Sequence, residues 1–268
     1  MKENLTIIFV SFFSEKKIIK YIKRLDNKYK IIIIDNANDH FLEKNLKKLQ
    51  NIEIITNKKN IGFGSATNQA LRKLKTKYAL HLDIDTNISL SSIDTMIETA
   101  DKIQDFAILA PKIFNHKYSN KSYIKKNYFE NTHLMNFVEG CCLFFKVNEI
   151  EEIGYFDESL EVCEDYDFWL RYCSKYPVNF VNKKLTFKFG GHLDQLSKKN
   201  WGMDRFRITA LEKLIGSNSL EKDQLEMTAE TLIRKISIIV NGAKKRSNRQ
   251  VFELYNEKKI YWLDQLKK

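Results

Sequence analysis

Two aspartates one residue apart close an apolar run in His81-Leu82-Asp83-Ile84-Asp85. On an extended chain that spacing turns both carboxylates to one side, where they can share a divalent cation and the hydroxyls of its ligand. A second acidic signal is Asp35-Asn36 behind Ile31 to Ile34. A carboxylate beside an amide can hydrogen-bond a base or a sugar, or can simply be the turn chemistry that stops a strand. A third signal is Glu164-Asp165, which opens the helical pattern Asp167-Phe168-Trp169-Leu170-Arg171. Carboxylates at a helix start are stabilised by its dipole, and one held in a cleft can take a proton from a hydroxyl. His192, after Gly190-Gly191, is either a metal ligand or a hydrogen-bonded surface histidine.

The segment from Asn57 through Asn60, Gly62 and Gly64 to Asn68 is a polar strand-to-helix turn. It carries neither the GxxxxGK[ST] of a P-loop nor the dinucleotide fingerprint. Its glycines still allow main chain to approach a ligand closely, and Asn68 falls one turn inside the following helix, facing the same edge.

These residues need a scaffold, and the apolar pattern supplies one. Strands are predicted at Thr6 to Val10, Lys30 to Ile34, Ile52 to Thr56, Tyr78 to Leu82 and Ala107 to Ala110, separated by helical patterns. The helices are those of Ile18, Ile19, Ile22 and Leu25, of Phe41 to Leu49, of Ser65 to Leu74, and of a segment starting at Ser91 with Asp94 three residues on. Continuous rather than alternating apolar strands imply parallel strands covered on both faces, and ligands bind at the carboxyl edge of such a sheet. Residues Asn115 to Asn131 lack a stable period and read as a long irregular excursion. Phe137 to Lys146, a helix from Glu164 to Tyr176 and a strand from Val178 to Val181 then restore the α/β pattern. Residues 1–200 are thus expected to form the main domain and 201–268 a helical extension, with helices at Asp204 to Ile215, Lys222 to Val240 and Arg249 to Leu266.

The 268 residues suit one large α/β domain with an appendage. Composition excludes disorder and low complexity, with 43% hydrophobic residues against 9 Gly and 2 Pro. Four cysteines, two of them adjacent as Cys141-Cys142, fit neither a disulfide framework nor paired CxxC zinc spacing, so a reducing cytoplasm is expected. No apolar run reaches the roughly 18 residues of a membrane span. Leu5 to Phe13 lacks a small-residue cleavage site behind it and reads as a first strand rather than a signal peptide. The net charge of +11 comes from scattered lysines without a nucleic-acid-binding signature, so no nucleic-acid partner is expected. The stripe Leu225, Leu232, Ile236, Ile239 and Val240 suits packing on the main domain or on a second copy, as in a homodimer. Lys244-Lys245-Arg246 and Trp262 leave open a peripheral contact with the inner face of the plasma membrane.

In order and spacing the motifs resemble family 2 glycosyltransferases of the GT-A fold, and within them the bacterial rhamnosyltransferase-like branch. The resemblance spans about residues 4–197 and rests on Val10-Ser11-Phe12, Ile34-Asp35-Asn36, Asn60-Ile61-Gly62-Phe63-Gly64 with Asn68, and Leu82-Asp83-Ile84-Asp85. It continues through Val138-Glu139-Gly140-Cys141-Cys142, Gly154-Tyr155-Phe156-Asp157-Glu158, Glu164-Asp165-Tyr166-Asp167 and His192. Asp83-Ile84-Asp85 stands where the branch usually carries Asn-Pro-Asp.

The resemblance implies a GT-A-type domain with a mostly parallel central sheet flanked by helices. It implies inverting transfer of a sugar from a nucleotide diphosphate sugar, of the dTDP-rhamnose or UDP-hexose type, to a hydroxyl of a glycan or lipid-linked acceptor in surface polysaccharide synthesis. By position it places Ser11 and Asp35 at the base, Asn60 and Asn68 near the nucleotide, Asp83 near ribose or donor sugar and Gly140 on the acceptor side, with Phe12, Asn36 and Gly62 as further substrate-binding positions. Asp85 and His192, with Asp83, would bind Mg²⁺ or Mn²⁺, and Asp165, or alternatively Glu164, would be the general base. A fold of this kind retained as a non-catalytic nucleotide-sugar or glycan binding module is the second reading.

Overall fold

The computed structural model describes residues 2–38, 40–103, 106, 108–114, 124–129, 132–135, 141–188 and 202–266. The chain divides into two compact units, one of residues 1–156 with 176–191 and one of 157–175 with 192–268.

The first unit is α/β. Its elements run β1 (Lys2–Ser11), α1 (Glu15–Ile22), β2 (Tyr29–Asp35), α2 (Phe41–Leu46), β3 (Ile52–Thr56), α3 (Phe63–Leu71), β4 (Tyr78–Leu82), β5 (Thr86–Ile88) and α4 (Leu90–Lys102). They continue with β6 (Ile108–Phe114), β7 (Ile124–Phe129), β8 (Thr132–Met135), β9 (Cys142–Lys146), α5 (Val147–Ile153) and, after the second unit's first helix, β10 (Val178–Lys188). The strands form one sheet in the order β3-β2-β1-β4-β9-β6-β10-β8-β7, with β5 also on β10.

The half β3-β2-β1-β4 is parallel throughout, and β6 and β10 pair in parallel. β9 lies antiparallel between β4 and β6, so strands 1, 2, 3, 4, 6, 7 and 10 share one direction while β5, β8 and β9 oppose it. The mostly parallel sheet follows from sequence. Ile7, Phe9, Ile31, Ile33, Tyr78 and Leu80 are buried with Ile18 and Ile22 of α1 and Ile93 and Met96 of α4, and Ile8, Ile32 and Ile34 of the opposite face are buried as well, so these strands are covered on both faces. Removing one such isoleucine side chain would cost about 2–5 kcal/mol.

Three expectations are corrected. The cap of α4 lies two residues earlier than predicted, because Ser89 rather than Ser91 accepts from the main chain, Ser92 N donating to Ser89 Oγ at 3.0 Å. The stretch expected to be irregular from Asn115 to Asn131 contains β7, which pairs antiparallel with β8 at the end of the strand order; its sequence Lys125-Lys126-Asn127 interrupts the apolar pattern that would announce a strand. β10 runs to Lys188 rather than stopping at Val181, because its polar second half still finds partners in β6 and β5.

The second unit is helical, comprising α6 (Glu164–Lys175), α7 (Asp204–Gly216), α8 (Lys222–Lys245) and α9 (Arg249–Gln265). The apolar stripe of α8, Leu232, Ile236, Ile239 and Val240, is buried against Ile208 and Leu211 of α7, with Tyr166 and Leu170 of α6 and Tyr255 and Trp262 of α9 packed on it. Leu225, expected on that stripe, is exposed, since it lies in the first turn of α8. α8 begins in a capping box, Glu221 N donating to Gln224 Oε1 at 3.1 Å, and α9 is capped by Asn248. No helix among the described residues is long and apolar enough to cross a membrane.

Candidate active site

Parallel pairing places the ends of β1 and β2 side by side, with Ser11 opposite Asp35 in register. Both are fully buried. Asp35 Oδ1 accepts from Ala37 N at 3.0 Å, whereas Asp35 Oδ2 and Ser11 Oγ are buried without a hydrogen-bond partner among the described residues. Two orphaned polar atoms at one carboxyl edge are costly unless a ligand satisfies them. Phe12 and Phe13 follow, exposed, with ring centroids 4.6 Å apart; Phe13 has φ 51°, a strained backbone for an aromatic residue.

The neighbouring loop is held by amides. Asn36 Nδ2 donates to Asn60 Oδ1 at 2.9 Å and to Gly62 O at 3.2 Å, and Asn36 Oδ1 accepts from Asn57 Nδ2 at 3.0 Å. Asn57 and Gln69 exchange a reciprocal pair at 2.9 Å. Asn36 and Asn60 Oδ1 therefore shape the turn, Asn60 Oδ1 also accepting from Gly62 N at 2.9 Å. Gly62, at φ 86°, starts α3 with open space where a Cβ would lie, so it is required by backbone conformation and leaves the turn's main chain accessible. Asn68 is buried and pairs with Phe156 through both of its amide atoms, at 2.9 Å each.

Asp83, Ile84 and Asp85 form a tight turn between β4 and β5, closed by Thr86 N donating to Asp83 O at 2.9 Å. The extended geometry expected for the two carboxylates is thus replaced by a turn: Asp83 N still bonds Cys141 O at 3.0 Å at the end of the β4–β9 ladder, and beyond it the chain turns so that β5 pairs with β10. The carboxylates nonetheless remain close enough to repel. Burial first, then the Asp85 charge, pushes Asp83 up to about 7, opposed by Lys188. Asp85 Oδ1 and Thr86 Oγ1 are buried without a partner among the described residues.

A crowded, partly orphaned carboxylate pair suits a hard dication. No group of three or more His, Cys, Asp or Glu gathers as a metal cage among the described residues, so the turn offers two carboxylates. That number fits Mg²⁺ or Mn²⁺ completed by phosphate oxygens of a substrate. His192 and Gly140, expected as metal ligand and acceptor contact, lie outside the described residues.

In the second unit, Cys163 has φ 62° and its backbone strain immediately precedes the expected base. Glu164 is buried, which pushes it up to about 7; its own main-chain N–H opposes this and the Asp165 charge adds to it. Asp165 is exposed and accepts from Tyr166 N at 2.7 Å. Phe168 is in the core, with Tyr172 at 4.4 Å, rather than at a sugar.

Two participants were missed in the sequence. Lys188 pairs with Thr86 across the β5–β10 ladder and brings a positive charge to Asp83; its only signal would have been a correct strand length for β10. Lys213 of α7 bonds Asp167, at 2.9 Å, and Asp157, a contact between residues 46 and 56 apart with no local signature.

The family description Glycosyl transferase family 2 matches residues 6–150. An uncharacterized glycosyltransferase of Rickettsia felis is 25% identical over 182 residues, covering 63% of this chain and 30% of that protein. An uncharacterized glycosyltransferase of Methanocaldococcus jannaschii is 28% identical over 158 residues, covering 53% of this chain and 52% of that one. The chain therefore spans 30% and 52% of the length of these two curated relatives. Among solved structures, S. aureus TarS 1–349 in complex with UDP-GlcNAc superposes with TM-score 0.72 at 16% identity, over 94% of this chain and 79% of that one, which is a likeness of fold. With the α/β architecture, the strand-end carboxylates and a family match over more than half its length, the chain belongs to glycosyl transferase family 2.

Proposed function

We propose that the chain is an inverting glycosyltransferase that uses a nucleoside diphosphate sugar and, with Mg²⁺ or Mn²⁺, passes the sugar to a hydroxyl of a glycan or lipid-linked acceptor. The observation that carries the reading is the pair of orphaned buried sites on adjacent strand ends, Ser11 with Asp35 and Asp85 with Thr86. One asks for a hydrogen-bond donor and the other for a cation. A uracil or thymine ring offers an N–H to Asp35 and a carbonyl to Ser11, whereas the corresponding ring nitrogen of cytosine carries no hydrogen. A dTDP- or UDP-linked donor is therefore favoured, consistent with the UDP-GlcNAc bound by TarS.

Asp83 and Asp85 would hold the cation together with the diphosphate, and the cation would supply charge neutralisation of the leaving group as the glycosidic bond breaks. Lys188 adds positive charge on the same side of the turn. Asp165, being exposed, is assigned as the base that accepts the acceptor hydroxyl's proton; Glu164, being buried, is assigned to its support. A surface-polysaccharide precursor made on the cytoplasmic side is the substrate setting the resemblance favours.

The test is donor consumption and transfer by purified protein with candidate nucleotide sugars and acceptors. Asp85→Asn is expected to weaken metal-dependent donor binding, and Asp165→Asn to keep it while lowering transfer by about 10²–10⁴-fold. Equal loss of donor binding in both variants contradicts these roles.

A further inference from the structure

Within the second unit, α7 reaches both ends of the segment that bears the expected base. Lys213 Nζ donates to Asp167 Oδ1 at 2.9 Å and also to Asp157. Asp167 is almost fully buried, and its other oxygen takes Arg171, Nε at 3.0 Å and Nη2 at 2.9 Å. Asp157 also accepts from Ser159, N at 2.8 Å and Oγ at 2.6 Å. One ammonium thus draws together two carboxylates ten positions apart in sequence, with Glu164 and Asp165 between them. The start of α7 engages the segment twice more. Cys163 Sγ donates to Met203 O at 3.7 Å, and Arg207 lies over the Tyr166 ring at 5.9 Å.

We propose that Lys213 is a positioning residue for sugar transfer, closing the segment 157–167 into a fixed loop so that the carboxylate at its helix start is held for proton abstraction. The inference rests on the reading that Asp165 or Glu164 is the base. Without the ammonium, Asp167 keeps Arg171 and Asp157 keeps Ser159, but the tie between the two carboxylates is lost and the loop strained at Cys163 is free to open. A displacement of about 1 Å in a catalytic group can cost about a hundredfold in rate. The C-terminal helices, beyond the residues that match the family, would then be part of the catalytic apparatus.

The experiment compares Lys213→Met and Lys213→Arg in the full chain by steady-state kinetics and by hydrogen exchange of residues 157–168. Lys213→Met is expected to lower kcat by about ten- to a hundredfold with donor KM within about twofold, and Lys213→Arg to recover most of the loss. Amides of 157–168 should exchange faster in Lys213→Met, with the sheet strands unchanged. Full kcat in Lys213→Met, a matching rise in donor KM, or no recovery by arginine overturns the proposal. If Lys213→Met does not fold, Asp157→Asn gives the same comparison, because Lys213 still pairs Asp167. If wild-type protein transfers no sugar, the functional reading fails and the catalytic role with it, whereas unchanged exchange in an active enzyme's Lys213→Met overturns the clamp alone.

Discussion

Asn68, in the middle of α3, holds Phe156 by both of that residue's main-chain groups: its Nδ2 donates to Phe156 O and its Oδ1 accepts from Phe156 N, each at 2.9 Å. The pair is wholly buried and joins positions 88 residues apart, and it fixes the chain just before it leaves the first unit.

Replacing Asn68 by alanine should therefore orphan a buried N–H and a buried C=O together. The expected loss is about 2–4 kcal/mol of stability. Urea denaturation should show a lower midpoint with an unchanged slope. Asn68→Asp should be no better, because a carboxylate cannot donate to the Phe156 carbonyl.

Stability should fall as pH rises from about 4 to 7. Asp83 and Glu164 are each pushed up to about 7 in the folded chain, so across that window the folded state holds protons that the unfolded chain has released. Above about pH 7 both states are ionised and this contribution levels off. Asp83→Asn should flatten its share of the slope and raise the melting temperature at pH 8. Asp157 works in the opposite sense: Lys213 and Ser159 outweigh its burial and hold it down to about 2, so its stabilisation is present above about pH 4 and lost on acidification toward 2. Thermal melts from pH 2 to 8 of the wild type, Asp83→Asn and Asp157→Asn check both signs.

The elements legible in the sequence are those whose reason is local. Ile31 to Ile34 could only be a strand buried on both faces, and the 232-236-239-240 stripe of α8 could only be one face of a helix. The Asp83 and Asp85 pair was legible as chemistry but not as geometry, since its turn lies between the bond to Cys141 and the pairing of β5 with β10, both long-range contacts. Asn36, Asn60 and Asn68 were visible as polar residues at the right edge. That Asn36 bonds Asn60 and that Asn68 bonds Phe156 depends on long-range partners that no spacing reveals. β7 was hidden because Lys125-Lys126-Asn127 interrupts its apolar pattern.

The cation should matter most where the carboxylates are ionised. With UDP present, Mn²⁺ is expected to raise the melting temperature more at pH 8 than at pH 5.5, because Asp83 is protonated well below about pH 7 and a protonated carboxyl is a poor ligand. Asp85→Asn should remove the difference. Scanning calorimetry at the two pH values, with metal and with chelator, measures it.

Asp35 should choose the base. With Oδ1 still accepting from Ala37 N, Asp35→Asn replaces the acceptor Oδ2 by an NH2 that only donates, so uridine and thymidine diphosphates should bind about tenfold or more weakly, with little change in melting temperature of the free protein. Equal affinity in wild type and variant would remove Asp35 from the nucleotide site.

The most direct test of the donor site is calorimetric titration of the wild-type protein with UDP, dTDP, GDP and CDP, each with Mn²⁺ or Mg²⁺ and again with chelator. The orphaned atoms of Ser11, Asp35 and Asp85 lead to saturable binding of UDP or dTDP that is strengthened by the metal, with CDP weaker. Folded protein that binds none of the four, or binds them equally with and without metal, would contradict the account.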